Sequence, residues 1–209
     1  MKRWATLSLG LVLIGLGAFS YSHQAASQAN NGWTVMFDGK SLDNFAPIGD
    51  ANWKLEDGAV VANKGNGYLV SKASYGDFEL RAEFWVNDDA NSGIFIRCED
   101  PNTVNAKNAY EVNIYDKRPD PSYGTGAIVD TAKAETVLKA GGKWNVYEIT
   151  AKGNEFTVVL NGTKTVSGVK NDAHKAGRIA LQYGAVKDAE GIVKFRKVEI
   201  RSLQATPTN

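Results

Sequence analysis

From Gly32 to Leu203 apolar residues recur at every second position, and this constrains the fold more than any other feature of the chain. In "DFELRAEFWV", Phe78, Leu80, Ala82, Phe84 and Val86 alternate with Glu79, Arg81, Glu83 and Trp85. Successive side chains on a strand point to opposite faces, so this spacing predicts a half-buried strand. Asp57-Gly58 in "WKLEDGAVVAN" and Asn161-Gly162 in "EFTVVLNGTKTVSG" separate strand-like runs. Both dipeptides take the positive φ that a tight hairpin turn needs. About a dozen short strands, with turns roughly ten residues apart, predict an all-β chain: an antiparallel sandwich or barrel. In "GIVKFRKVEIRSL" the alternation slips between Ile192 and Phe195, which reads as a bulge or a strand boundary. "TAKAETVLKAGG" alone has a helix-compatible composition.

The first residues follow another logic. Lys2 and Arg3 precede the apolar run "WATLSLGLVLIGLGAF", and small and polar residues follow. That is the layout of a secretory signal peptide, with Ser27-Gln28-Ala29 fitting the small-x-small cleavage rule. Cleavage is expected after Ala29, giving a signal peptide of residues 1–29 and one domain of residues 30–209 with its core at about 33–203. The apolar run is about 15 residues, short of the roughly 20 a membrane-spanning helix needs, so no stable membrane insertion is expected after cleavage. The expected location is periplasmic or secreted.

Charge and cysteine count exclude whole classes of function. Removing Lys2 and Arg3 from 24 basic residues leaves 22 against 23 acidic ones. Nucleic acid is not an expected partner, because such binding rests on clustered Lys and Arg. Cys98 is the only cysteine and has no partner within the chain, so it is read as a small buried apolar residue. After cleavage the one histidine is His174, in the polar stretch "KNDAHKAG", read as a surface-loop residue. No zinc motif, dinucleotide fingerprint or phosphate-binding loop is present. No cofactor is expected, while a loop-bound Ca2+ or another divalent cation stays open, since oxygen ligands leave weak sequence signatures.

Carboxylates, amides, arginine, lysine and tyrosine remain, a vocabulary that suits sugars. In "SGIFIRCE" strict alternation puts Ile94, Ile96 and Cys98 on one face and Phe95, Arg97 and Glu99 on the other. In "AYEVNIYD", Val112 and Ile114 share one face, and Glu111, Asn113 and Tyr115 the other. Glu111 and Asp116 are five apart, an odd offset that sends them to opposite faces of a regular strand. They are therefore not the facing carboxylate pair of an ordinary glycosidase. By spacing alone the polar face is either a sugar-binding floor or a ladder of cross-strand charges.

Seven blocks occur in order: "GWTVMFDGKSLDNF", "WKLEDGAVVA", "GYLVSKASYGDFELRAEFWVNDDANSGIFIRC", "YEVNIYD", "TGAIVD", "GKWNVYEITAKGNEFTVVLNG" and "GRIALQYG". Together they resemble the 3-keto-disaccharide hydrolase family over about Trp33 to Leu203. The resemblance implies a two-sheet antiparallel jelly-roll sandwich, concanavalin-A-like or laminarin-G-like. It also implies a carbohydrate ligand and export in bacteria. The implied chemistry is cleavage of glycosides oxidised at C3, by loss of the C2 proton followed by hydration. A non-catalytic carbohydrate-binding module on the same scaffold is the alternative, since a fold does not fix a function.

Carried over by position, the resemblance makes Glu111 a catalytic acid or base and Arg97 a donor to the enolate or a hydroxyl. Asn113, where the family commonly has Gln, and Gln182 become partners of sugar hydroxyls. Tyr115, Asp116, Lys117, Tyr123 and Thr125 complete the expected substrate-binding set along the loop. This chain reads "LQYGAV" where many members carry a nearby histidine.

Overall fold

The computed structural model describes Met1 and residues 31–203. The expected signal peptide beyond Met1, and the tail "TPTN", lie outside the described residues. Thirteen strands follow one another: β1 (Thr34–Phe37), β2 (Phe45–Gly49), β3 (Lys54–Glu56), β4 (Ala59–Ala62), β5 (Gly67–Tyr75), β6 (Phe78–Val86) and β7 (Ser92–Cys98). After these come β8 (Tyr110–Ile114), β9 (Lys143–Lys152), β10 (Glu155–Leu160), β11 (Thr163–Lys170), β12 (Gly177–Tyr183) and β13 (Val193–Ser202). One sheet runs β11-β10-β9-β6-β13-β4-β3, with β1 alongside β13, and the other runs β2-β5-β12-β7-β8. Every named pair is antiparallel, which is the expected two-sheet jelly roll.

The alternation in the sequence becomes the burial pattern. Along β6 the residues beginning with Phe78 are buried and those between them half-buried. The core lies between the sheets, where Phe84 stacks on Tyr147 with centroids 5.0 Å apart. Each large apolar side chain buried there contributes roughly 1.5–3 kcal/mol relative to exposure. Asp57-Gly58 turns β3 into β4 at φ of 50° and 74°, and Asn161-Gly162 turns β10 into β11 at 51° and 80°. The slip between Ile192 and Phe195 is a strand boundary, since β13 begins at Val193, and a separate bulge lies at Arg196, between the Phe195↔Phe84 and Lys197↔Glu83 pairs.

Two expectations are corrected. "TAKAETVLKAGG" forms no helix; among the described residues the helical structure is one 3-10 turn, Pro121–Tyr123, capped by Asp120. Neighbours take the segment's backbone donors: Ala134 N–H donates to Ser122 O, and Glu135 N–H to Thr165 O. His174 is not a surface residue but only 7% exposed, with its ring edge-on to Tyr110 and Nδ1 3.3 Å from a Glu99 carboxylate oxygen.

Candidate active site

The site is built on the outer face of the five-stranded sheet, and a single bulge decides which residues reach it. Arg97 has φ of +53°, a left-handed conformation uncommon for a non-glycine residue. β12 pairs Arg178 with Cys98 but Ala180 with Phe95, so Ile96 and Arg97 together oppose one residue. The extra residue inverts the alternation beyond it. Cys98 joins Phe95 in the outer-face cluster, while Ile96 stays in the main core.

Arg97 therefore turns away from Glu111, which corrects the expectation that the two share a face. Its side chain is 1% exposed and lies over the Phe156 ring, 5.1 Å from the centroid. Nε donates to Gly76 O (3.0 Å), Nη1 to Gly153 O (2.7 Å) and His174 O (3.2 Å), and Nη2 to Asp77 Oδ1 (3.0 Å). These partners come from the β5–β6 turn, the β9–β10 turn and the segment before β12. The guanidinium ties chain segments together at one end of the sandwich. Its donors are spent there and not on a ligand beside Glu111.

On the outer face the register assembles two rows. Ile48, Tyr68 and Gln182 are partners across β2, β5 and β12, and Gly93 pairs with Asn113 across β7 and β8. Leu181 pairs with Ile94, which sets Gln182 opposite Gly93. The next row is Ala46, Val70, Ala180, Phe95 and Glu111. Val104 and Ala109, from the loop between β7 and β8, pack on Val70, Phe95 and Cys98 and cover part of this face. Burial pushes the Cys98 thiol up to about 11, so it stays protonated.

Glu111 reaches back over β7. A Cβ placed on Gly93 would stand 3.1 Å from both Cγ and Oε1 of Glu111, so the glycine makes room for the carboxyl. Burial pushes the Glu111 pKa up to about 7; Arg118 nearby pulls it down and Asp130 adds to the rise. Asn113 is fully buried: its Nδ2 donates to Tyr123 O (2.7 Å), and its buried Oδ1 has no partner. Gln182 likewise has a buried Oε1 without a partner, and its Nε2 lies 3.5 Å from the Tyr68 hydroxyl. Two unpaired acceptors thus flank Gly93, beside a carboxyl that is partly protonated at neutral pH. An unsatisfied buried acceptor costs about 1–3 kcal/mol, which a hydroxyl donor can recover.

The expected substrate-binding residues divide. Asn113 and Gln182 come together with Glu111, but Asp116 and Thr125 serve the fold. The Asp116 carboxylate accepts from Thr125 Oγ1 (2.5 Å) and from the backbone N–H groups of Ala140 and Gly141 (2.9 Å each). Thr125 is 2% exposed. This knot holds the loop after β8 against that strand, where Asn113 N–H donates to Ala127 O and Val129 N–H to Glu111 O. Lys117 is exposed and pairs with Asp89 at 2.5 Å. Tyr123 contributes its carbonyl to Asn113 and carries Lys133 over its ring. Tyr115, half-buried, follows the end of β8, and its carbonyl accepts from Arg118 N–H.

Tyr68, Gly93 and Arg118 border the candidate site and were not expected from the sequence. Tyr68 sits in "GYLVS", an apolar run with no alternation to show which way it points. A tyrosine hydroxyl in such a run needs a polar partner, and that was the available signal. Among the described residues, no group of three or more His, Cys, Asp or Glu side chains is placed to hold a metal ion.

The model of the 3-keto-alpha-glucoside-1,2-lyase-like domain matches residues 32–201. The chain belongs to this family. Among solved structures, this lyase-like domain is similar to a provisionally assigned glycosyl hydrolase from Parabacteroides distasonis, at 28% identity and a TM-score of 0.66. That match covers 82% of this chain and 99% of the other. A second provisionally assigned glycosyl hydrolase from the same organism gives 20% identity and a TM-score of 0.72 over 83% and 95% of the two chains. The carbohydrate-binding module CBM66 from Bacillus subtilis, at 19% identity and a TM-score of 0.57 over 82% and 96%, shares the fold. Comparison with curated proteins gives no significant match.

Proposed function

We propose that this family member is an exported bacterial enzyme that cleaves 3-keto-glycosides and 3-keto-disaccharides, with Glu111 as the base. Residues 30–209 act as one jelly-roll domain, periplasmic or secreted, after removal of residues 1–29. The observation that carries the reading is the Glu111 carboxyl lying on Gly93, with a pKa of about 7, beside two buried amide oxygens that lack partners. A ketone at C3 acidifies the proton on C2. A base whose pKa lies near the working pH can take that proton and still return it. The electron pair forms an enolate, the enolate expels the C1 substituent, and water then adds across the C1–C2 double bond. Asn113 Oδ1 and Gln182 Oε1 accept hydrogen bonds from sugar hydroxyls.

The test is incubation with 3-keto-trehalose or a 3-keto-glucoside, following release of the keto-sugar or its unsaturated intermediate. Glu111→Gln is expected to lower turnover by about 10²–10⁴-fold while leaving the fold intact. Near-wild-type turnover by that variant would remove Glu111 from the mechanism.

A carbohydrate-binding module without catalysis is the second reading. The placement of Arg97 favours it, because the donor expected at the enolate lies on the other side of the sheet. Sugar binding without turnover across several 3-keto-glycosides would decide for it.

A further inference from the structure

Resting on that reading, we propose that Tyr68 is the proton donor to the departing glycosidic oxygen and, in the hydration step, the base that activates water. Elimination needs an acid at the leaving oxygen as well as a base at C2, and the displacement of Arg97 leaves that position open. Tyr68 stands in the same cross-sheet row as Gln182, Gly93 and Asn113. The β5 and β7 backbones are two strand spacings apart, roughly 10 Å. The two side chains reach inward from either side of that gap. The Tyr68 hydroxyl extends to the Gln182 amide, and Glu111 folds from β8 onto Gly93. The Tyr68 ring is set edge-on against Phe95, with centroids 5.5 Å apart at 87°, which fixes its direction.

The hydroxyl is also electrostatically coupled to the base. Burial raises the Tyr68 pKa, the hydrogen bond from Gln182 offsets part of the rise, and the charge of Glu111 adds to it, so the phenol holds its proton while the carboxylate is free. Proton removal by Glu111 relieves that coupling as the leaving oxygen begins to demand a proton.

The cycle closes without another reagent. Glu111 takes the C2 proton, the C1–O bond breaks, and the departing oxygen takes the Tyr68 proton, leaving a carboxylic acid and a phenolate. Water then enters where the alcohol left. The phenolate removes its proton as oxygen bonds to C1, and Glu111 returns a proton to C2. Both residues finish in their starting states, and the substrate has gained one water.

The experiment compares wild type and Tyr68→Phe on methyl and 4-nitrophenyl 3-keto-glucosides. The methoxide must be protonated as it leaves, whereas the nitrophenolate leaves as an anion. Followed as release of methanol or nitrophenol in a single turnover, bond cleavage by Tyr68→Phe is expected to slow by about 100-fold or more on the methyl glycoside and by less than about tenfold on the nitrophenyl glycoside. Equal losses on both, or none on either, overturn the role of Tyr68 while the proposed function stands. No turnover of either compound by the wild type overturns both. Phe keeps the packing on Phe95, so a purely structural contribution would not separate the two leaving groups.

Discussion

At the residue scale, Glu111 is the proposed base because its environment disfavours its charge. Its carboxyl lies against Gly93, where a methyl group would crowd it, and burial outweighs the pull of Arg118. The raised pKa has a consequence for stability whose sign is fixed. Below the ordinary value of 4.5 the carboxyl is protonated in both folded and unfolded chains, and burial carries no charge penalty. Between 4.5 and about 7 the unfolded chain releases the proton first, so stability falls as the pH rises and levels off above 7. The displacement corresponds to a loss on the order of 3 kcal/mol. Urea denaturation at pH 4 and pH 8 is expected to show this loss in the wild type and its disappearance in Glu111→Gln. Matching pH dependence in both proteins would show that Glu111 is not buried as described.

At the element scale, the bulge in β7 separates a structural arginine from the face that carries Glu111. Without it, Arg97 would project beside Phe95 toward Glu111; with it, the guanidinium reaches four partners at the end of the sandwich. Gly177 accommodates the same bulge, since a Cβ there would meet the Arg97 carbonyl carbon and the Cys98 carbonyl oxygen at 2.4 Å. Arg97→Met would leave three backbone carbonyls and the Asp77 carboxylate without this donor. A loss of about 3 kcal/mol in unfolding free energy is expected by urea denaturation, with kcat of the folded variant unchanged. A drop in kcat at full folding would instead place Arg97 in the reaction. The loop after β8 was legible as a polar, proline-containing connection, but its anchoring was not. Asp116 binds backbone groups 24 and 25 residues away, a distance over which the sequence carries no periodic signal.

At the scale of the whole molecule, the two sheets are joined beneath the site as well as by the apolar core. Tyr147, on β9 of the larger sheet, donates its hydroxyl to Asn113 O on β8 of the smaller one at 2.6 Å. Burial drives the phenol far above its usual pKa, so it acts only as a neutral donor. Asn113 O also accepts from Gly126 N–H, so the strand and the covering loop meet the opposite layer at one atom. Tyr147→Phe is expected to cost about 1 kcal/mol, a fall of roughly 2–4 °C in Tm by calorimetry. An unchanged Tm would mean that the interlayer bond contributes nothing to stability.

The sequence by itself determined the strands, the two Asx-Gly hairpins and the family, because period two and ordered motifs are local signals. It also placed Asn113 correctly with Glu111, since two residues on one regular strand keep their face. Only the tertiary structure decided that Arg97 leaves that face and that Asp116 and Thr125 serve the loop. Only the tertiary structure set Tyr68 and Gln182 across from Gly93. The physical reason is common to these cases. One left-handed residue reverses every later side chain on its strand, and neighbours in a sheet are chosen by a register between segments far apart in the chain.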